Sequence, residues 1–206
     1  MEKYKISKAT MQRYPIYLKA LRMLEKDGVE SVMSNELAEV THIKSTTIRR
    51  DFSMIGKLGK QGFGYGVKEL ITIFSDELKI ACDEKIVLIG VGNMGRALLK
   101  YNNWNFVVGE IVACFDQNVD IKLDVDIPLY DIKDFKEKKP KDCRLAIVAI
   151  SENVQETVNL LSESGIVGII DVTRDHYIKP KGLIVRQIDI VSKIQELVFE
   201  ADYIKE

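Results

Sequence analysis

The residues best suited to bind a ligand are three glycines with the spacing G-x-G-x-x-G. The motif is Gly90-Val91-Gly92-Asn93-Met94-Gly95, and it stands between the apolar residues 85–89 and the helix-forming residues 96–99. In this context the first glycine permits a tight turn, the second lets the backbone approach a pyrophosphate, and the third lets a helix pack on a strand. The helix N-terminus would stabilise the phosphates. These six residues are therefore predicted to bind a dinucleotide.

An acidic residue lies at a position that could determine which of two dinucleotides binds. Asp116 follows the apolar residues 111–115 and lies 21 positions beyond Gly95. A carboxylate at the tip of the second strand accepts hydrogen bonds from the ribose hydroxyls and repels a 2′-phosphate. The pattern favours NAD(H) over the 2′-phosphorylated cofactor. The alternative is a loop aspartate in a flavodoxin-like fold that binds no dinucleotide.

A second set of residues is suited to contact a polyanion. The run Ser45-Thr46-Thr47-Ile48-Arg49-Arg50 opens a segment with apolar residues at helical spacing. Its hydroxyls and guanidinium groups can contact phosphates, and an arginine can bind a guanine edge with two hydrogen bonds. Asp51 could orient one of these arginines or only pair with it. The alternative is an amphipathic surface helix with a charged face.

The distribution of charge places the polyanion partner at the front of the chain. The formal net charge is −1, but residues 1–68 contain 13 Lys and Arg against 7 Asp and Glu, which is a net +6. The remaining residues contain 17 against 24, which is a net −7. A basic front half on an acidic back half indicates that nucleic acid would contact the front half alone.

The segments around the basic run predict a winged helix-turn-helix. Helices are expected over residues 8–26, 35–40 and 45–56, with Ser34 capping the second, and two short helices across a tight turn are typical of that motif. The glycine-rich residues 59–67 are expected to form a β-hairpin, and a hairpin after a recognition helix is a wing. A glycine-rich nucleotide loop is the alternative, although no strand precedes it. The predicted DNA-contacting residues of the wing are Lys60, Gly62, Gly64 and Tyr65.

Apolar strands that alternate with helices predict the fold of the remainder, an α/β Rossmann domain with a doubly wound parallel sheet. Strands are expected over residues 85–89, 111–115, 144–150, 167–170 and 183–185. A last helix over residues 188–203 has an apolar face that packs on its own domain or on a partner. We divide the chain into a DNA-binding domain (1–82), a dinucleotide-binding domain (83–187) and a C-terminal dimerisation helix (188–206).

Other classes of protein fit the sequence poorly. No apolar run reaches the length of a membrane span, and the first residues lack a secretory signal, so we expect a cytoplasmic protein without a membrane partner. Three distant cysteines and the absence of metal-ligand spacing predict buried thiols and no metal site. An NAD-dependent dehydrogenase would need a general acid or base near the nicotinamide. The two histidines are His42, in the predicted helix-turn-helix, and His176, in a predicted surface loop, so we predict no catalytic residues.

In chain order these motifs resemble those of the bacterial redox-sensing repressor family Rex. The most specific stretches are residues 47–53, 59–65, 90–95 with Ala97-Leu98, Phe115-Asp116 and 185–189. The resemblance implies a homodimer that represses genes by binding a palindromic operator in double-stranded DNA, with NADH releasing the operator and NAD⁺ permitting binding. It also implies that the terminal helix is exchanged between subunits. Tyr101 and Asp189 would form a contact across the subunits that depends on the ligand state.

Two loops depart from the family pattern. Ala149-Ile150-Ser151-Glu152-Asn153 stands where the family has small apolar residues and a proline, and Asp171-Val172-Thr173-Arg174 stands in place of Asn-Phe-(Ala/Thr)-Pro. Both loops would lie at the sheet edge where the nicotinamide binds, with Ile150 in contact with the cofactor. Asp171 and Arg174 could pair there. The alternatives are a DNA-binding dimer with weak or no NADH sensing, or one that binds a different adenine nucleotide.

Overall fold

The computed structural model describes residues 7–56, 58–59, 64–78, 83–102, 108–173 and 175–203. These residues divide into two units, of which the first contains the described residues before Asp83 together with Val108 and the second contains the rest. The predictions for Lys60, Gly62 and Arg174 lie outside the described residues. None of the helices in the described part of the chain is both long and apolar enough to cross a membrane.

The first unit is a helical domain with one short pair of strands. Its helices are α1 (Lys8–Lys26), α2 (Ser34–Thr41), α3 (Ser45–Ile55) and α4 (Val67–Leu78). Strands β1 (Ser31–Val32) and β2 (Tyr65–Gly66) pair antiparallel. The rings of Tyr17, Phe52 and Phe74 meet at the centre, with centroids 5.3 to 5.7 Å apart. This aromatic cluster joins α1, α3 and α4 into one core.

One detail of the first unit differs from the sequence prediction, and a second was not predicted. Ser34 is the first residue of α2 and not its cap, because Met33 occupies the N-cap position. The backbone N–H of Met33 donates a hydrogen bond of 2.7 Å to the carboxylate of Glu36 in the first turn. The described end of the glycine-rich segment, Tyr65–Gly66, pairs with β1, and the predicted hairpin includes residues 60–63, which lie outside the described residues. Gly64 lies so close to this strand that an added Cβ would stand 2.7 Å from the carbonyl oxygen of Val32. That contact fixes the course of the chain into β2.

The second unit contains the parallel sheet that the sequence predicts. Its strands run in the order β5-β4-β3-β6-β7-β8, and every pair is parallel. The strands are β3 (Glu84–Ile89), β4 (Gly109–Asp116), β5 (Leu129–Asp131), β6 (Leu145–Val148), β7 (Gly168–Asp171) and β8 (Ile184–Gln187). The helices are α5 (Asn93–Lys100), α6 (Phe135–Lys138), α7 (Val154–Glu163) and α8 (Ile190–Tyr203), with a 3₁₀ turn over Ile132–Asp134. The sequence reasoning missed β5, the 3₁₀ turn and α6.

Helices cover both faces of this sheet, which confirms the doubly wound architecture. Alternate residues of β3 belong to two separate apolar clusters. Ile86 and Leu88 pack with Leu99 of α5, whereas Val87 and Ile89 pack on the opposite face with residues of α6 and α7. Both faces of β3 are therefore buried, as expected for a central parallel strand. This arrangement exposes the carboxyl ends of the strands along one edge, where the glycine motif lies.

Candidate dinucleotide site and nucleic-acid interface

The glycine motif forms a tight turn between β3 and α5. Gly90 has a positive φ of 93°, and an added Cβ would lie 2.6 Å from the carbonyl oxygen of Ala149. A Cβ on Gly95 would collide with the carbonyl oxygen of Gly90. A Cβ on Gly92 would meet nothing within 4 Å. The first and last glycines are therefore required by packing, whereas Gly92 leaves open space at the start of α5, where the unpaired amides of the first helical turn point.

The carboxylate of Asp116 is bonded to the same turn. Its Oδ2 accepts a hydrogen bond of 2.7 Å from the backbone N–H of Val91, and its Oδ1 accepts one of 2.9 Å from Asn118. The sequence predicted a carboxylate at this strand tip but not its bond to the glycine turn. A carboxylate has about four lone-pair directions, so acceptor positions remain for ribose hydroxyls. The bonds fix the carboxylate beside the space that Gly92 leaves open.

A cleft of about 190 Å³ lies at this edge of the sheet. Four of the predicted cofactor-binding residues line it together, namely Gly90, Gly92, Asp116 and Ile150. Of the others, Val91 and Gly95 are buried in the turn, and the side chains of Asn93 and Met94 are exposed. The further lining residues are Ile89, Phe115, Gln117, Ile132, Ala149, Ser151, Glu152 and Thr157. Of these, Ala149, Ser151 and Glu152 belong to the first altered loop, which the sequence placed at this edge of the sheet, whereas Ile89, Gln117, Ile132 and Thr157 were not singled out from the sequence. Ile132 comes from the 3₁₀ turn after β5, a region without a sequence signal of its own.

The second altered loop is held by a buried carboxylate. Asp171 is 1% exposed and ends β7. Its Oδ1 accepts a hydrogen bond of 2.8 Å from the backbone N–H of Thr173, and its Oδ2 accepts one of 3.0 Å from the hydroxyl of Tyr177. Burial and the bond to this carboxylate raise the pKa of Tyr177. Both oxygens of Asp171 thus have partners within the described residues, and the predicted pairing with Arg174 lies outside them.

The described thiols are not placed for redox chemistry. Cys114 and Cys143 are both buried, and neither forms a disulfide. Burial raises the pKa of Cys114 to about 12, and it also raises the pKa of Cys143. A reactive cysteine requires an accessible thiolate, so neither side chain presents one. Within the described chain, no three His, Cys, Asp or Glu side chains gather to hold a metal ion.

The predicted recognition helix presents its polar residues on one side. Thr46, Arg49 and Arg50 are exposed, whereas Ser45 and Thr47 are half-buried. In the described residues the guanidinium groups of Arg49 and Arg50 form neither an ion pair nor a hydrogen bond. Both remain available to an external anion.

Of the predicted DNA-contacting residues of the wing, the two that the structure describes lie against the core of the first unit. Gly64 and Tyr65 are half-buried, and the ring of Tyr65 packs edge-on against Phe52 with centroids 4.9 Å apart. Phe52 belongs to α3, so this contact fixes the chain entering β2 relative to the recognition helix. The roles of Gly64 and Tyr65 at DNA stay predictions.

Asp51 faces away from the arginines beside it in the sequence. It is 1% exposed and accepts two hydrogen bonds from Arg13 of α1, of 2.6 and 2.7 Å, one to each carboxylate oxygen. The hydroxyls of Tyr17 and Thr10 donate to it at 2.7 and 3.3 Å. Burial opposes ionisation, but the hydrogen bonds from Arg13 and Tyr17 outweigh it, so the pKa of Asp51 is lowered. The network ties α3 to α1 and leaves the neighbouring arginines free.

The two residues expected to meet across subunits are both on the surface. Tyr101 caps α5 and is 74% exposed. Asp189 precedes α8, and its carboxylate accepts hydrogen bonds of 3.1 and 2.5 Å from the backbone N–H and the hydroxyl of Ser192. These bonds lower the pKa of Asp189. Their contact across subunits stays a prediction.

A large apolar surface is left open in the second unit. No residue of α8 in the described structure is buried, and six of its apolar side chains are each more than half exposed, namely Ile190, Val191, Ile194, Leu197, Val198 and Phe199. An apolar groove of about 420 Å³ also crosses β6, β7 and β8 on the side of α5. Contiguous apolar surface on this scale is typical of a protein interface.

Comparison with known proteins finds relatives over the whole chain. The family model described as "Putative DNA-binding protein N-terminus" matches residues 5–53, and the one described as "CoA binding domain" matches residues 82–174. The chain is 38% identical to the redox-sensing transcriptional repressor Rex 1 of Enterococcus faecalis, over 94% of this chain and 92% of that protein. It is 37% identical to the redox-sensing transcriptional repressor Rex of Lactobacillus acidophilus, over the full length of both.

Solved structures show the same likeness. The repressor RSP in complex with β-NAD⁺ and operator DNA has a TM-score of 0.78 and 25% identity, over 98% of this chain and 95% of that chain. RSP in complex with β-NADH has a TM-score of 0.76 and 23% identity, over 98% of this chain and 97% of that chain. At this identity the likeness supports the fold alone. The order of the two domains is therefore shared from end to end.

Proposed function

Because this chain belongs to the family of redox-sensing transcriptional repressors Rex, we propose that it represses transcription in response to the NADH/NAD⁺ ratio. It binds operator DNA through the first unit and NAD(H) through the second, and NADH releases the operator. The observation that carries this proposal is one cleft lined by Gly90, Gly92 and Asp116, in a chain whose exposed Arg49 and Arg50 form no ion pair with the residues that the structure describes. The protein acts in the cytoplasm, where both ligands are found.

The proposal gives each part of the dinucleotide a position along the cleft. The pyrophosphate lies against Gly92 and the N-terminus of α5, because open space and unpaired amides meet there. Asp116 binds the adenosine ribose, and Ile150 contacts the nicotinamide half across the cleft. No His or Lys side chain lines the cleft within the described residues. We propose a regulatory site and not a dehydrogenase because the relatives of this chain are transcriptional repressors.

The DNA interface is the exposed side of α3. Ser45, Thr46 and Thr47 stand at its N-terminus, where hydroxyls and backbone N–H groups bind phosphate. Arg49 and Arg50 follow on the exposed side, available for phosphate or a guanine edge. Lys60, Gly62, Gly64 and Tyr65 of the wing would approach the neighbouring groove.

A homodimer joins ligand binding to DNA binding. Paired recognition helices read a palindrome only at the spacing of its half-sites. We propose that α8 is exchanged between subunits, that Tyr101 and Asp189 meet across them, and that the dinucleotide shifts the population between two dimer arrangements. A dimer with the wrong spacing loses one half-site. Coupling of about 1–3 kcal/mol would change operator affinity about 5- to 150-fold.

Charged residues on the apolar side of α8 are expected to break the dimer. Ile194→Glu with Leu197→Glu would place two carboxylates in an apolar interface, so we expect a monomer by light scattering after size-exclusion chromatography. Lys193→Gln, on the same helix, is the control and should stay dimeric. A double variant that elutes as a dimer would show that α8 does not hold the subunits together.

The proposed function is tested by titrating NADH and NAD⁺ separately in a calorimeter, with and without a palindromic duplex selected from a random-sequence pool. We expect the duplex to weaken NADH binding, and by reciprocity NADH must then weaken duplex binding by the same factor. Unchanged duplex affinity at saturating NADH would overturn redox sensing. If the protein binds the duplex but binds neither NADH nor NAD⁺, another adenine nucleotide is the candidate ligand.

A further inference from the structure

Two carboxylates lie at the sheet edge on the side of the cleft opposite Asp116. Glu152 follows β6 and lines the cleft, and Asp171 is the last residue of β7. The two strands are neighbours, with Val148 of β6 paired in register with Asp171. Because parallel strands end at the same edge, both acidic residues lie at the carboxyl edge of the sheet.

The strand order places the nicotinamide half of a bound dinucleotide on that side. The sheet runs β4-β3-β6-β7. Asp116 at the end of β4 holds the adenosine ribose, and Gly92 after β3 receives the pyrophosphate. The rest of the ligand must then extend over the ends of β6 and β7. Glu152 is therefore the charged lining residue on the nicotinamide side.

No opposite charge neutralises Glu152 within the described residues. The described lining of the cleft contains no Lys or Arg side chain, and Glu152 forms no ion pair with a described residue. Asp171 adds a second carboxylate, but its oxygens are bonded to Thr173 and Tyr177 and it is buried. Glu152 is exposed and faces the cleft from a loop, so it is the group whose charge can be removed without disturbing packing.

We propose that Glu152 is a specificity-determining residue that favours NAD⁺ over NADH, an inference that rests on the proposed function. The oxidised nicotinamide ring carries a positive charge and the reduced ring carries none. The pyrophosphate and both riboses are the same in the two ligands, so the repulsion between Glu152 and the phosphates cancels from the ratio of affinities. The attraction to the ring remains in that ratio. A larger NADH fraction is then needed to displace NAD⁺ and release the operator.

The test is Glu152→Gln, which keeps the size of the side chain and removes its charge. Dissociation constants for NAD⁺, NADH and ADP-ribose, which lacks the nicotinamide, are measured by calorimetry on the full-length protein. We expect NAD⁺ to weaken about fivefold relative to NADH, the order expected for unit charges about 4 Å apart in water, because Glu152 is exposed to solvent. The ratio of NADH to ADP-ribose affinities should stay constant, and the change for NAD⁺ should shrink at high salt.

The control is Glu156→Gln, an exposed glutamate of α7 that does not line the cleft, and it should leave all ratios unchanged. If Glu152→Gln leaves the NAD⁺ to NADH ratio unchanged while both ligands bind, the inference is wrong and the proposed function stands. If ADP-ribose weakens as much as NAD⁺, Glu152 acts on the shared part of the ligand and the inference is again wrong. If none of the three ligands binds the unaltered protein, the proposed function falls together with the inference.

Discussion

Gly92→Ala is expected to weaken NAD⁺ and NADH binding roughly 50-fold or more, through loss of charge-assisted hydrogen bonds from the loop to the pyrophosphate. An alanine Cβ at this position enters open cleft space and meets no protein atom within 4 Å. The backbone at Gly92 has φ −64° and ψ −165°, which alanine adopts without strain. Alanine is a poorer cap than glycine, so the folding cost is about 0.5 kcal/mol. Calorimetry measures the first effect and thermal unfolding the second.

Gly95→Ala provides the contrast, because its Cβ collides with the carbonyl oxygen of Gly90. In this variant α5 must move off the turn, so stability and binding should be lost together. The two variants therefore distinguish Gly92, whose substitution should affect ligand binding, from Gly95, whose substitution should also affect the packing of α5 and the stability of the fold. Wild-type affinity for NADH in Gly92→Ala would show that the pyrophosphate does not lie on this turn.

Arg13→Met is expected to destabilise the first unit by about 3 kcal/mol, at the low end for breaking a buried ion pair, because the arginine is itself partly exposed. The change leaves the carboxylate of Asp51 buried with only hydroxyl partners, from Tyr17 and Thr10. Urea unfolding followed by circular dichroism measures the loss. Operator affinity should fall as well, since the network positions the helix that carries Arg49 and Arg50.

The matched control is Arg50→Met, the same change on the exposed side of α3. It should leave the free energy of unfolding unchanged and weaken operator binding alone. A second variant, Arg13→Met with Asp51→Leu, removes both charges and should recover part of the stability. An Arg13→Met protein as stable as the wild type would mean that Asp51 does not depend on Arg13.

Low pH is expected to remove the difference in unfolding free energy between the wild type and Arg13→Met. The folded pKa of Asp51 is lowered, so the carboxylate stabilises the fold above its unfolded pKa of about 3.9. This contribution is lost as the pH falls through the folded pKa, since the proton then enters the network. The stability of wild type and Arg13→Met should therefore converge below about pH 4 and differ fully at neutral pH.

The sequence predicted those parts of the fold that depend on dense local patterns. The apolar spacing of α1 and α3 and the glycine motif each repeat a signal over many residues, and their positions are confirmed. The pairing of β1 with β2 involves two residues on each strand and has no period to detect. The three-residue β5 and the short α6 were missed for the same reason.

The chemistry of individual side chains was harder to predict than their positions. Asp51 follows Arg50 directly, yet successive residues of a helix point about 100° apart, so the two face different surroundings. Its actual partner, Arg13, stands 38 positions earlier, and only the packing of α1 on α3 joins them. The bond between Asp116 and Val91 likewise depends on the path of the turn. The sequence places Glu152 in a loop that departs from the family pattern, but only the structure shows that this residue lines the cleft.

The exposed apolar side chains of α8 have a consequence for gene expression. In the proposed homodimer those side chains are covered only after a second copy is found, so assembly and operator binding both obey mass action. While most subunits are separate, the amount of dimer rises with the square of the chain concentration. A twofold change in synthesis would then alter operator occupancy about fourfold. The copy number of the repressor would then change operator occupancy in addition to the redox state of the cell.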